Sequence, residues 1–259
     1  TIRLGAGGLP AAITAVEREL LAAPAAVTAT LGGQATPLTG APAKLVSRTD
    51  NLASWAGRLA GGALALDVAA TLEFDGLLYY TLTLRPAAAG QPVTVAALRV
   101  DFPLRAAEVS QLIANSGANN FRAAHDVRFI APGTGCVWDS RTTRPKMPRP
   151  FPIGNYYPQV WVGGDYCGLS FSGDNDQGWT PDNEHAAQEL HRDGATVVYR
   201  MNVISKPVTV EKERTFTFIL LRMPSKPLPP EMRGWNRAPK DTPNARYDLI
   251  DVFMGKALT

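Results

Sequence analysis

Residues 156–182, YYPQVWVGGDYCGLSFSGDNDQGWTPD, bring two tryptophans and four aspartates into one short span. Carboxylates this dense suit two chemistries: acid, base or nucleophile work at a glycosidic bond, and oxygen ligation of calcium. The densest group is Asp174, Asp176, Asp182 and Glu184. Asp174-Asn175-Asp176 opens like a calcium loop but lacks the later glutamate of an EF-hand, so no metal set is assigned and calcium is the one cation the loop would suit. Recognition is the third possibility. Trp179 closes the polar loop 174–179, where an indole beside Asp and Asn side chains can stack on a pyranose while the carboxylates accept its hydroxyl hydrogens. Asp165 follows Gly163-Gly164 at the turn between two strands, PQVWVGG and CGLSFSG, and Trp161, inside the first, is expected to fill the core. The candidate carbohydrate-binding residues are therefore Trp179, Asp174, Asp176, Asp165 and Trp161. No catalytic residue is assigned; the alternative is a self-contained polysaccharide-active enzyme that pairs Asp174 or Asp176 with Glu184.

Other chemistries find less support. Gly5-Ala6-Gly7-Gly8 is preceded by no buried strand and followed by proline, so it reads as an opening loop and not as a phosphate cradle. Cys136 and Cys167 fit no CxxC spacing and read as buried small hydrophobes, with a single disulfide as the alternative. His125, His185 and His191 form no HExxH pattern. No cofactor is expected. The 26 basic and 23 acidic residues leave a net charge of +3, and the basic run RTTRPKMPR at 141–149 carries no aromatic for base stacking, so nucleic acid is excluded as a partner. No apolar run reaches the roughly 20 residues that cross a bilayer as a helix, so no membrane partner is expected. The chain opens on Thr1 with no signal-like segment and reads as a processed or excised piece.

The elements that must position these residues are strands. LALDVAATLEF and LLYYTLTLRP flank Asp75-Gly76, a pair that supplies the positive φ angles of a tight hairpin turn. QELH and TVVYRMNVIS flank Arg192-Asp193-Gly194 as a second hairpin. RTFTFILLR, within 212–222, is expected to join that hairpin's sheet as a central strand buried on both faces. Further strands are expected at 93–102, 127–130 and 135–138, with Trp138 as a packing anchor. Two segments favour helix by propensity: AVERELLAA at 15–23 and, more weakly, AAEVSQLI at 106–113. The tail from Pro224, rich in proline, reads as a surface strap. The fold class is all-β: a large antiparallel, supersandwich-like β-sandwich with short helical turns at most.

Several of these segments together resemble one family. GGLPAAITAVERELLAAP is similar to a GLPxxI…ELL…P opening, LEFDGLLYYTLTL to an E-[FY]-D-G hairpin, TVAALRVDFPLR to the strand after it, and CVWDS to a short G-x-[VI]-W strand. PQVWVGGDYCGLSFSGDNDQGW matches a W-[LV]-G…G-L-x-[FW] motif that ends in G-W, and LLRMPSKPLPPEMRGW resembles the family's exit segment, with Met223-Pro224 in place of an SxP-like junction. The family is that of β-sandwich domains in large bacterial glycoside-hydrolase-like proteins, relatives of glycoside hydrolase family 123. The resemblance implies strand or turn over 15–23, a sandwich over 1–223 and a connector over 224–259 leading to a downstream (β/α)8 barrel that holds the catalytic acids. It also implies carbohydrate as a partner and a periplasmic or extracellular location. On this reading the chain is a non-catalytic module that supports the barrel, and Trp161, Asp165, Asp174, Asp176 and Trp179 are the motif residues that could meet sugar.

Overall fold

The computed structural model describes residues 1–115, 125–143, 155–173, 175–182 and 184–225, the side chains of 125–127 and 143 excepted. These belong to one compact unit, Thr1–Ser225. Asp174, the basic residues 144–149 and the strap from Lys226 on lie outside the described residues.

The strands in chain order are β1 Ile2–Leu4, β2 Pro10–Ala15, β3 Arg18–Glu19, β4 Ala26–Leu31, β5 Gln34–Leu38, β6 Lys44–Arg48 and β7 Leu52–Gly61. There follow β8 Leu64–Glu73, β9 Leu77–Pro86, β10 Val93–Val95, β11 Ala97–Arg105, β12 Gln111–Asn115, β13 His125–Phe129 and β14 Gly135–Asp139. The last are β15 Gln159–Gly163, β16 Gly168–Ser172, β17 Gln188–Asp193, β18 Thr196–Ile204, β19 Val208–Val210 and β20 Arg214–Met223. A six-stranded sheet runs β14-β17-β18-β11-β4-β5 and a nine-stranded sheet runs β13-β12-β15-β16-β20-β9-β8-β7-β6. The pairings in both are antiparallel, so this is the all-β sandwich expected. Among the described residues, helix is limited to a 3-10 turn at Ala106–Glu108 and one α-turn at Ser140–Thr143.

Both sheets alternate in burial. Leu78, Tyr80, Leu82 and Leu84 of β9 point inward, as do Leu98, Val100, Phe102 and Leu104 of β11. The sheets meet through aromatic rings: Phe102 lies edge-on to Phe171 at 5.0 Å and to Phe218 at 6.0 Å, and Phe171 stacks on Tyr199 at 3.9 Å. Tyr80 stacks on Phe218 at 4.9 Å and donates its buried hydroxyl to the Gly8 carbonyl at 2.9 Å, which ties the opening glycine loop to the core.

The Asp75-Gly76 hairpin forms as expected: Gly76 has φ +95°, and Asp75 Oδ1 accepts from the Leu77 amide at 3.1 Å. The second hairpin, β17 to β18, forms around Gly194 at φ +54°. Three expectations are corrected. β20 pairs with β9 and β16 in the nine-stranded sheet, not with β18, because the chain crosses between sheets through β19 after Ile204. Nor is β20 buried on both faces: Phe216, Phe218 and Leu220 are, while Ile219 and Leu221 stand half-exposed on the outer face. Residues 106–113 give the 3-10 turn and the start of β12 in place of a helix.

Residues 15–23 are the second correction to propensity, and agree with what the resemblance implies. Ala15 pairs with Arg18, and Val16 and Glu17 both have positive φ, 49° and 61°, so the segment is a two-residue hairpin turn. Glu19 holds it, accepting from the amides of Ile13 at 2.8 Å and Leu21 at 3.1 Å, while Leu20 and Leu21 go into the core. Tertiary burial outweighs helix propensity, which is worth tenths of a kcal/mol per residue. A β-branched residue at positive φ is strained, and Asn-Gly is the preferred pair for such a turn. The double substitution Val16→Asn, Glu17→Gly is accordingly expected to stabilise the fold by about 1–2 kcal/mol, seen as a rise in the urea midpoint at unchanged slope.

Candidate functional site

The strands β12, β15 and β16, with the turn between the last two, carry two of the sequence-derived residues, Trp161 and Asp165. In β15 the inward positions belong to Val160 and Val162, both buried, so Trp161 between them faces outward and is half-exposed. The core role expected of Trp161 is thus corrected, because a strand's period of two gives the inner face to one parity only, here that of the valines.

Glycines make the floor under this indole. Gly163 pairs with Gly168 across β15 and β16, and Trp161 pairs with Ser170. A Cβ on Gly168 would stand 2.7 Å from Cε2, Cζ2 and Nε1 of Trp161, and one on Gly163 2.6 Å from Cζ2. The ring can therefore lie against the strand backbone only because both positions lack a side chain. On the other side, β12 sets Ile113 opposite Trp161, Gln111 opposite Gly163 and Asn115 opposite Gln159. Gln111 Nε2 donates to Asp165 Oδ1 at 3.2 Å, and Asn115 Nδ2 to Gln159 Oε1 at 3.5 Å. An outward-facing indole is thus bracketed along the strand direction by two pairs of hydrogen-bonding side chains. Phe129, 79% exposed and opposite Gln111 on β13, extends the same face.

The polar loop behaves differently. Trp179 is only 5% exposed, edge-on to Tyr156 at 4.8 Å, and Arg214 donates to the carbonyls of Gly178 and Trp179. Its expected role as an exposed platform is corrected: Gly178, at φ +80°, turns the chain against the Thr215 backbone, and the next side chain is carried inward. Asp176 is half-buried, and its carbonyl accepts from the Trp179 amide at 3.0 Å. Asp165 precedes β16 and Asp176 follows it, so a strand of this length separates them by about 15 Å. They do not share a site. Asp174 lies outside the described residues.

Beyond Trp179 the loop is fixed by a buried polar network. Ser140 and Asn155 are both fully buried. Ser140 Oγ donates to Asn155 Oδ1 at 2.6 Å, and Asn155 Nδ2 donates to the carbonyls of Asp182 at 2.8 Å and His185 at 2.7 Å. The Ala187 amide donates to Asn155 Oδ1 at 2.7 Å, and Gln188 both donates to and accepts from the Tyr157 backbone. Asp182 caps the turn, its Oδ1 accepting from the amides of Glu184 and His185 at 2.8 Å, its Oδ2 facing His185 Nδ1 at 3.0 Å. Burial alone would raise the Asp182 carboxyl, but the hydrogen bonds from His185 and Glu184 outweigh it and hold the group below the usual carboxylate range. Glu184 is exposed beside it. Both cysteines are free: Cys167 is buried as expected, whereas Cys136 is exposed.

Gln111, Ile113, Asn115 and Gln159 were not singled out in the sequence, because QLIAN lay partly under a helical pattern. Its alternation of polar and apolar residues, matched by that of QVWVG, is the signal that could have found them.

Residues 1–177 match the family described as glycoside hydrolase 123, third domain. The chain belongs to this family. Trp161, Gly163, Asp165 and Gly168 lie within the matched residues. No curated protein matches the chain by sequence. Among solved structures, it is similar to the Slr1438 protein of Synechocystis sp. PCC 6803, with a TM-score of 0.50 at 10% identity over 85% of this chain and 90% of that one. It is also similar to an Escherichia coli K12 protein titled "Putative aldose 1-epimerase", with a TM-score of 0.44 at 10% identity over 83% and 92% of the two chains. At such identity the likeness to Slr1438 speaks for the fold alone.

Asn155→Ala removes hydrogen bonds with four partners, the Ser140 hydroxyl, the Ala187 amide and the Asp182 and His185 carbonyls, and is expected to cost about 3 kcal/mol in chemical denaturation. Asp182 adds a pH signature. A folded carboxyl held below its unfolded value stabilises fully above the ordinary carboxylate pKa, and that contribution is lost as pH falls through the folded value. The gap in unfolding midpoint between the unsubstituted chain and Asp182→Asn should therefore be constant from about pH 7 to 5 and shrink below about pH 4.

Proposed function

We propose that this domain is a non-catalytic, carbohydrate-facing module of a larger glycoside-hydrolase-type polypeptide, which supports a catalytic barrel in a periplasmic or extracellular enzyme. The carrying observation is the half-exposed Trp161 held over Gly163 and Gly168 between the Gln111–Asp165 and Asn115–Gln159 pairs. An indole lying along a sheet offers an apolar face to the C–H side of a pyranose, and amides and a carboxylate beside it can exchange hydrogen bonds with the equatorial hydroxyls. A sheet face is open at both ends, which suits a polysaccharide chain passing over it better than a free monosaccharide. The use of the described carboxylates supports a non-catalytic role: Asp182 caps its own turn, Glu19 caps another, Asp67 holds Arg58 and Arg85, and Asp101 holds Arg200.

The test is affinity electrophoresis and calorimetry against a panel of soluble polysaccharides, with reducing ends assayed in parallel. Trp161→Ala and Gly168→Ala, the second of which displaces the indole without removing it, should each weaken binding at least about tenfold, the loss of one stacking contact. Asp165→Asn should weaken it less, and Glu184→Gln not at all. Binding unchanged in Trp161→Ala overturns the site. Release of reducing ends by the unsubstituted chain that Asp176→Asn abolishes would instead establish a self-contained enzyme.

A further inference from the structure

The outer face of the other sheet carries a cluster that the carbohydrate reading does not use. β14 is the edge strand of the six-stranded sheet and pairs with β17, and its register slips between Cys136 and Trp138. Cys136 stands opposite His191 and Trp138 opposite Leu190, so the intervening Val137 is a bulge. Without the bulge, Cys136 and Trp138 would share a face. With it, Trp138 goes into the core at 3% exposure and Cys136 comes out beside His191 and Glu189, the outward-facing residues of β17. Bulges commonly re-aim one side chain at a sheet edge in this way.

One ligand atom from each of Cys136, Glu189 and His191 lies within 4.8 Å of the other two. His191 Nε2 is 3.3 Å from Glu189 Oε2, is itself shielded from solvent, and makes no hydrogen bond of good geometry. Glu189 is set from the far side, its Oε2 accepting from Asn202 Nδ2 at 2.9 Å. The neighbouring Arg200 is engaged by both oxygens of Asp101, at 2.8 and 3.1 Å, so its charge is largely neutralised there. Asp139 takes no part, since its Oδ1 caps the α-turn through the Thr142 amide.

The geometry points to a metal site on this face, in which Cys136, Glu189 and His191 bind one zinc-class divalent ion and leave a fourth position open. A thiolate, an imidazole and a carboxylate together suit a borderline-soft ion such as Zn²⁺ and are poorly matched to calcium or magnesium. Tetrahedral zinc places such ligand atoms about 3.3–3.6 Å apart, so small side-chain rotations close the present spacing. His191 turns its orphaned Nε2 toward Glu189, and this is the atom a metal would take. On binding, the Cys136 thiol gives up its proton to solvent and the sulfur–metal bond forms in its place. The ion would clamp the edge strand β14 to β17.

The test is calorimetric titration of the full chain with Zn²⁺ in two buffers of different ionisation enthalpy, with Co²⁺ as the spectroscopic probe. Expected are one equivalent of Zn²⁺, about one proton released, a thiolate-to-cobalt charge-transfer band and a higher unfolding temperature with zinc. Cys136→Ser and His191→Gln should each weaken binding at least about tenfold, the lower bound for loss even of an outer-shell partner, and Cys136→Ser should abolish the band. Cys167→Ser and Asp182→Asn, away from the cluster, should change nothing. Zinc affinity that survives both Cys136→Ser and His191→Gln, cobalt bound without the thiolate band, or no binding by the unsubstituted chain overturns the site. Trp161→Ala should leave zinc binding intact, so this outcome is independent of the carbohydrate test.

Discussion

The aromatic seam between the two sheets is the contact on which the rest of the domain depends. Phe102 and Tyr199 come from the six-stranded sheet and Phe171, Phe218 and Tyr80 from the nine-stranded one, and their rings touch at 3.9 to 6.5 Å. Each ring buries 150–250 Å² and favours edge-on or offset contact, so the seam holds the sheets together and also sets which residue of each strand faces inward. Once Phe171 points inward from β16, Gly168, Ser170 and Ser172 must face outward, and antiparallel register then puts Gly163, Trp161 and Gln159 beside them on β15. The surface proposed to meet carbohydrate is therefore a consequence of the seam one strand away.

The same parity argument explains what could and could not be read from the chain. The Asp75-Gly76 and Gly194 hairpins were legible because local turn chemistry and two alternating runs agree, and the strands at 127–130 and 135–138 stand within two residues of the expected bounds, whereas 93–102 divides into β10 and β11 of two different sheets. Trp138 is the packing anchor expected, whereas Trp161 and Trp179 each point to the side opposite to the one their local features suggest. Trp161 is large and apolar, yet Val160 and Val162 hold the inward positions. Trp179 ends a polar loop, yet a single glycine against Thr215 turns it inward. The side to which a residue points after a glycine or at mid-strand depends on partners far along the chain, and no local pattern contains them. Residues 15–23 are the converse case, where good helix formers are drawn into a strained turn by the burial of Leu20 and Leu21.

Polar groups in the interior have a comparable organising effect at the loop end. Ser140, Asn155 and Gln188 are buried and form hydrogen bonds with backbone groups of the surrounding loops. A buried amide left without partners costs far more than a satisfied one contributes. The network therefore favours one loop conformation by penalising the others, and it occupies Asp182 as a cap. Such devices were invisible in the sequence, since Asn155 and Ser140 resemble any other loop residues until the chain is folded.

The two outer faces of the sandwich are thus made by different means. On the nine-stranded sheet, two side chains are absent, at Gly163 and Gly168, so a third can lie down. On the six-stranded sheet, one extra residue, Val137, turns a cysteine outward beside a histidine and a glutamate that strand periodicity already places together. Neither device adds to the core: a strand glycine forgoes packing, and a bulge interrupts the ladder at an edge. Natural sequences depart from local consistency mainly where something other than stability is served. That both departures occur on outward faces, each beside polar side chains with spare hydrogen-bonding or ligating capacity, is the physical ground for treating these faces, and not the acidic loop at 174–184, as the working surfaces of the domain.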